Sequence, residues 1–161
     1  LGLSPAGVGA TLAAYGAGMI AGALTAPRIA ASLRFGQIIV VGPLCGLAAS
    51  LTLCATMIVP SPWLAAAAYF QLGMGPILWV ISSTTLRQAI TPETMLGRVS
   101  ALISTATYGA RPLGALIGAM LGGPFGAKPC LIVAVLAFVV QAYVILRSQA
   151  AKLVSLPEAD T

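Results

Sequence analysis

The amino-acid sequence predicts an all-α polytopic membrane protein with five transmembrane helices. Three observations carry this. The 161-residue chain is 59% hydrophobic and only 7% charged, whereas a soluble domain carries about 25% charged residues. So few charges cannot build a water-facing surface. The apolar residues fall into five blocks, 7–26, 38–59, 63–86, 100–121 and 129–146, each long enough to cross a hydrocarbon core of about 30 Å as a helix. With one exception, the charges lie outside these blocks.

The first span carries Gly18-x-x-x-Gly22, with Ala14 extending the spacing backward. Small residues at this interval let helices approach closely in lipid. Gly16-Ala-Gly18-Met-Ile-Ala21 also fits a loose dinucleotide-binding pattern. That motif needs a preceding strand and an acid about 20 residues later, and no acid follows before Glu93. The second span has only Ser50, Thr52 and Thr56 as polar side chains, so it can face lipid. Its Cys45 and Cys54 would lie about 13 Å apart on a helix, too far for a disulfide.

The third span opens with Trp63, a residue suited to the membrane interface. Gln71, Gly75, Leu78, Ser82 and Thr85 share one helical face, with Trp79 at its edge. Gly73, Gly75 and Pro76 should bend this span. The connection that follows, 87–99, is polar. Thr91 is expected as the N-cap and Pro92 as the first residue of a short helix or turn leading into the fourth span. Glu93 would sit at its positive end, within reach of Arg87 or Arg98.

The fourth span holds the exception, Arg111. Ser100, Ser104, Thr107 and Arg111 fall on one stripe with Tyr108 beside it, and Gly114, Gly118 and Gly122 continue it. Arg111 lies about 20 Å along the helix from Arg98, near the bilayer centre. A charge there costs upwards of about 2.5 kcal/mol in lipid, and no span contains an acid to pair with it. It is either a cavity residue that attracts an anionic or polar substrate, or a brace for a neighbouring broken helix. The fifth span has Gln141 and little else that is polar.

Orientation follows from the basic residues. Arg28, Arg34, Arg87, Arg98, Arg147 and Lys152 fall on one side, and Lys128 alone on the other. The positive-inside rule makes the first side cytoplasmic and places the C-terminus there. The basic residues stand singly, with no patch for nucleic acid. The acids are Glu93, Glu158 and Asp160, and there is no His. No catalytic carboxylate pair or triad can be assembled. Cys45, Cys54 and Cys130 lack metal-type spacing. Neither an enzyme nor a cofactor or metal site is expected.

TLRQAITPETMLGRVSA followed by YGARPLGALIGAMLGG resembles the loop between helices ten and eleven, and then helix eleven, of major facilitator superfamily transporters. The similarity is greatest to the bacterial efflux branch that includes the enterobactin exporter. LSPAGVGATLAAYGAGMIAGAL resembles the start of helix eight in that branch. The specific elements are Arg87, Gln88, Pro92, Glu93, Gly97 and Arg98, and the run from Ala110 to Gly114. Residues 27–37 keep Arg28, Arg34 and Gly36 of a loop signature but lack its acid, which puts an acid-dependent gate there in doubt.

The resemblance implies a twelve-helix fold of two six-helix bundles that rock around a central cavity. Residues 1–147 would be part of the second bundle, as helices eight to twelve, and 148–161 a cytoplasmic tail. The chain is therefore expected to be a C-terminal fragment whose partners are the rest of the transporter, the bilayer and a small-molecule substrate. The expected activity is secondary active export of a small organic molecule or metabolite from the bacterial inner membrane. Substrate-cavity candidates are Arg111, Tyr108, Thr107, Ser104, Gln71, Trp79 and Ser82. Arg87, Glu93, Gly97 and Arg98 are candidates for a cytoplasmic gate or hinge, and Gly18, Gly22, Gly114, Gly118 and Gly122 for helix packing. The alternative is a non-transporting membrane scaffold or assembly subunit.

Overall fold

A computed structural model describes residue 2 and residues 4–153. It has five α-helices: α1 (Pro5–Ser32), α2 (Phe35–Ala55), α3 (Pro62–Ile90), α4 (Glu93–Phe125) and α5 (Ala127–Arg147). A 3-10 turn, η1 (Gln149–Lys152), follows. There is no strand among the described residues. Of the expected tail, 148–153 holds this turn, and 154–161 lies outside the described residues.

Helix starts follow local chemistry. The Ser4 side-chain oxygen accepts from the Gly7 N–H at 3.2 Å, and Pro5 opens α1. At α2 the Arg34 N–H donates to Gln37 Oε1 at 3.0 Å. Glu93 sits in the first turn of α4, at the positive end of its dipole.

The helices run further than the apolar blocks. α1 passes through Pro27 and ends at Ser32, so the first connection is Leu33 and Arg34 alone rather than 27–37. One proline removes a single backbone hydrogen bond, while away from water the residues beyond it satisfy their backbones best by staying helical. α3 likewise reaches Ile90 with Pro76 inside it. Thr91 therefore closes α3, its N–H donating to Arg87 O at 3.1 Å, and Pro92 is the N-cap of α4. The expected cap was one residue early, and the expected short helix or turn feeding into the fourth span is the first part of a single 33-residue α4.

Four helices, α1, α2, α3 and α5, are long and apolar enough to cross a membrane. α4 would extend for about 50 Å and is the most amphipathic of the five. Arg111, Pro112 and the polar stripe make it less apolar than the others. The protein is thus an all-α polytopic membrane protein with its strongest polarity concentrated in one helix.

α3 is central. α1 packs on one side of it and α2 on another, α5 packs on α2, and α4 packs on α5. The buried positions are mostly small: Gly18, Gly22 and Ala26 of α1, Gly42, Gly46 and Ala49 of α2, and Ala65, Ala68, Gly73 and Gly75 of α3. Large apolar side chains point outward instead, including Leu24, Leu51 and Leu136. This inside-out distribution suits lipid, where association depends on close backbone packing rather than on hiding apolar surface. Trp63 is 84% exposed at the start of α3, as an interfacial anchor requires.

α2 is more deeply packed than its lack of polar residues implies. It lies between α3 and α5, and eight of its residues are buried, including Ile39. Its other side, with Leu44 and Leu51, is exposed and can still face lipid. Gly42-x-x-x-Gly46 lets both neighbours in, and small size, not polarity, decides contact in lipid.

Candidate functional site

The chemistry-bearing residues separate into three places. The first is the exposed stripe of α4. Ser104, Thr107, Tyr108 and Arg111 are all exposed, and Ser100 is half-buried. The Arg111 guanidinium carbon lies 4.8 Å from the centre of the Tyr108 ring. A three-residue step brings both side chains to one side of the helix, and the ring's negative face attracts the cation. The hydroxyls of Thr11, Thr25, Ser50, Thr52 and Thr85 donate to carbonyls of their own helices. Those of Ser104 and Thr107 make no such bond among the described residues, so their donors are available to a partner.

The glycine end of the stripe has a different setting. Gly114 and Gly118 border a groove of about 260 Å³ together with Cys130 and Val133 of α5. Cys130 Sγ lies 3.6 Å from Gly118 O. A methyl group at Gly114 or Gly118 would meet nothing within 4 Å, and one at Gly122 would meet only Cys130 Sγ at 3.6 Å. By contrast, a methyl at Gly18 would overlap the Phe70 carbonyl, and one at Gly22 would lie 2.8 Å from Met74 O.

The second place is the interior of the α3 packing. Ser82 is buried, and its hydroxyl donates to Leu78 O at 2.9 Å. Its donor is already used within the helix. Gln71 and Trp79 are half-buried, and a methyl at Gly42 would lie only 2.6 Å from Trp79 Cβ. The α3 candidates and the α4 candidates therefore do not form one cluster: Ser82 is enclosed, whereas Arg111 is exposed on a helix packed against α5.

The third place is the end of the bundle where α3 leads into α4. A second groove of about 260 Å³ is bordered by Trp79, Ser83 and Arg87 of α3, Val99 and Ile103 of α4, and Ala150 of η1. Arg87 Nε is buried there without a hydrogen-bond partner among the described residues. Glu93, Gly97 and Arg98 are exposed, and Gly97 has open space around it. The expected pairing of Glu93 with Arg87 or Arg98 is not formed: there is no ion pair among the described residues. The two-residue joint leaves Glu93 on the exposed first turn of α4.

Ser83 and Ala150 were not legible as groove residues. Nothing in the spacing of an apolar chain announces that η1 folds back. The Gly36 N–H donates to Leu153 O at 2.8 Å, so the end of the described chain is held against the start of α2.

Residues 1–160 match the family described as transmembrane secretion effector. No curated protein matches the chain, and no solved structure does.

Proposed function

The chain belongs to the transmembrane secretion effector family of major facilitator-type transporters, and on that premise we propose that it is the C-terminal part of a secondary active exporter of a small organic molecule. Membership points to a transporter rather than an enzyme. The proposed assignment makes α1–α5 helices eight to twelve, completed by the remainder of the transporter. The proposed setting is the bacterial inner membrane, with the ends of α3 and α5 on the cytoplasmic side, where Arg87, Arg98, Arg147 and Lys152 lie.

One observation carries this reading: the most amphipathic helix in an apolar bundle presents Ser104, Thr107, Tyr108 and Arg111 on one exposed side. In alternating access this side of α4 lines the substrate path. Arg111 supplies a permanent positive charge for an anionic or polar group, and Tyr108 holds the guanidinium against the helix. Gln71 and Trp79 of α3 supply further contact along the path. Ser82 would join them only as the bundle rearranges, because its donor is engaged at rest. Arg87, Glu93, Gly97 and Arg98 form the cytoplasmic hinge.

The test is flux in vesicles containing the full-length protein with Arg111→Ala and Arg111→Lys. Loss in Arg111→Ala with partial retention in Arg111→Lys is expected. Wild-type flux in both, at equal expression, removes Arg111 from the mechanism.

A further inference from the structure

The groove at the α3–α4 joint combines an apolar wall with one cation. Trp79, Ser83, Arg87 and Ile90 recur on one face of α3, and Val99 and Ile103 of α4 complete the wall. Ile90 is 57% exposed and Ile103 42% exposed, so the groove opens on the flank of the bundle. Helices α3 and α4 make almost no direct contact of their own, because α4 packs on α5. The space between them is therefore a wedge that their own side chains do not fill.

The charge sits at one end of this wedge. Arg87 is half-buried, and its Nε is withdrawn from solvent with no hydrogen bond among the described residues. An unmade bond on a charged donor is costly. A guanidinium can offer its Nε–H and one Nη–H together to a single phosphate, and a small rotation of this long side chain presents that pair to the groove. Thr91, one helical turn further on, borders the same groove with a hydroxyl. Arg34, Arg87, Arg98, Arg147 and Lys152 lie toward this end of the bundle, against Glu93 as the one acid among the described residues.

Two features together specify the occupant. A free phosphate would meet the guanidinium and leave the wall bare, and a neutral chain would do the reverse. The arrangement also has a direction. Arg87 is near the end of α3, and Trp79 lies eight residues back along it, about 12 Å toward the middle of the span. Charge at the helix end and apolar wall further in is the polarity of a lipid in a bilayer.

We propose that this groove binds an anionic phospholipid, with the headgroup phosphate on Arg87 and an acyl chain running inward past Val99 and Ile103 to Trp79. The lipid fills the wedge and joins α3 to the start of α4. The inference goes beyond the transport reading and needs only that the helices span a bilayer.

Tryptophan quenching in the full-length, reconstituted protein tests it without measuring flux. One variant keeps Trp79 as its only tryptophan, and a second keeps only Trp63, which is 84% exposed at the opposite end of α3. Each is placed in equimolar phosphatidylglycerol and phosphatidylcholine, with one or the other brominated along its chains. Trp79 should favour brominated phosphatidylglycerol about fivefold, the ratio that one basic residue near the membrane surface supplies, and Trp63 should show a ratio near one. Arg87→Gln should bring the Trp79 ratio to one, and Arg87→Lys should restore it in part. Ser83→Leu, which fills the groove and keeps the charge, should also lower it, so the test survives a folding defect in Arg87→Gln. Equal quenching of Trp79 by both lipids overturns the proposal and leaves the groove to a protein occupant. Loss of the preference in excess inorganic phosphate overturns it too, because the site would then hold an ion only. A preference removed by Arg98→Gln but not by Arg87→Gln overturns it as well, since general surface attraction would account for it.

Discussion

Gly18 of α1 lies so close to Phe70 of α3 that a methyl group added to it would overlap the Phe70 carbonyl. The contact is mutual, because a methyl at Gly73 would overlap the Tyr15 carbonyl. Both obstacles are backbone, which cannot swing aside as a flexible side chain can. Gly18→Ala and Gly73→Ala should each destabilise the protein by about 1–3 kcal/mol through overpacking. Gly16→Ala, with open space around it, should be neutral or slightly stabilising, since alanine is the better helix former. Thermal unfolding of the full-length protein in detergent checks all three. Equal effects at Gly16 and Gly18 would show that the close approach does not limit stability.

The glycines also show what could be read in advance. Helix positions followed from the apolar blocks, and Gly18 with Gly22 was visible as a close-packing signal. The same spacing recurs at Gly42 and Gly46, in a helix with few polar groups. Polarity marks water and small size marks contact, and in lipid the two are independent. Gly114 and Gly118 show the converse: they have the spacing, yet open space surrounds them in the described residues. Spacing says that a helix can be approached and is silent about which neighbour does so. The polar stripe of α4 was legible because a 100° step fixes its members. The position of α4 relative to α3 was not, because that depends on tertiary packing. Nor was the return of η1 to Gly36, which rests on backbone bonds that no side chain announces.

Gly42→Ala should therefore be more damaging than Gly114→Ala. A methyl at Gly42 would lie 2.6 Å from Trp79 Cβ and 3.1 Å from Gly75 O, so α2 and α3 would have to part. The expected cost is about 1–3 kcal/mol, against a change of less than about 0.5 kcal/mol at Gly114 in the same unfolding assay. A large loss at Gly114 would mean that a further element packs there.

The α4–α5 joint is one residue. Gly126 has φ 75° and ψ −171°, a region essentially reserved for glycine. A methyl there meets no neighbour within 4 Å, so Gly126→Ala isolates backbone strain from crowding. It should cost about 1–3 kcal/mol and raise hydrogen exchange at the facing ends of α4 and α5. Unchanged exchange and stability would show that the joint has another conformation.

Water access along α4 separates a transport path from a sealed scaffold. Ser104, Thr107, Leu102 and Leu113 are all exposed on the helix, so exposure alone does not say which side meets water and which meets lipid. In a background lacking the native cysteines, Ser104→Cys and Thr107→Cys should react with a membrane-impermeant thiol reagent, whereas Leu102→Cys and Leu113→Cys should not. Equal silence at all four positions would favour the scaffold. Equal reaction at all four would remove α4 from the bilayer.

The pairing of Arg111 with Tyr108 can be tested apart from transport. The guanidinium lies 4.8 Å from the ring centre within one helix, so the contact needs no partner chain. A double-mutant cycle with Tyr108→Leu and Arg111→Gln, read by thermal unfolding, should give a coupling of about 0.5–1 kcal/mol if the stripe faces water, and about 2 kcal/mol or more if it is desolvated. Tyr108→Phe should keep most of the coupling, because the ring face rather than the hydroxyl makes the contact. A coupling near zero would show that Tyr108 does not hold Arg111, and if Arg111→Gln were itself stabilising, the cost of placing the charge there would be met by no contact.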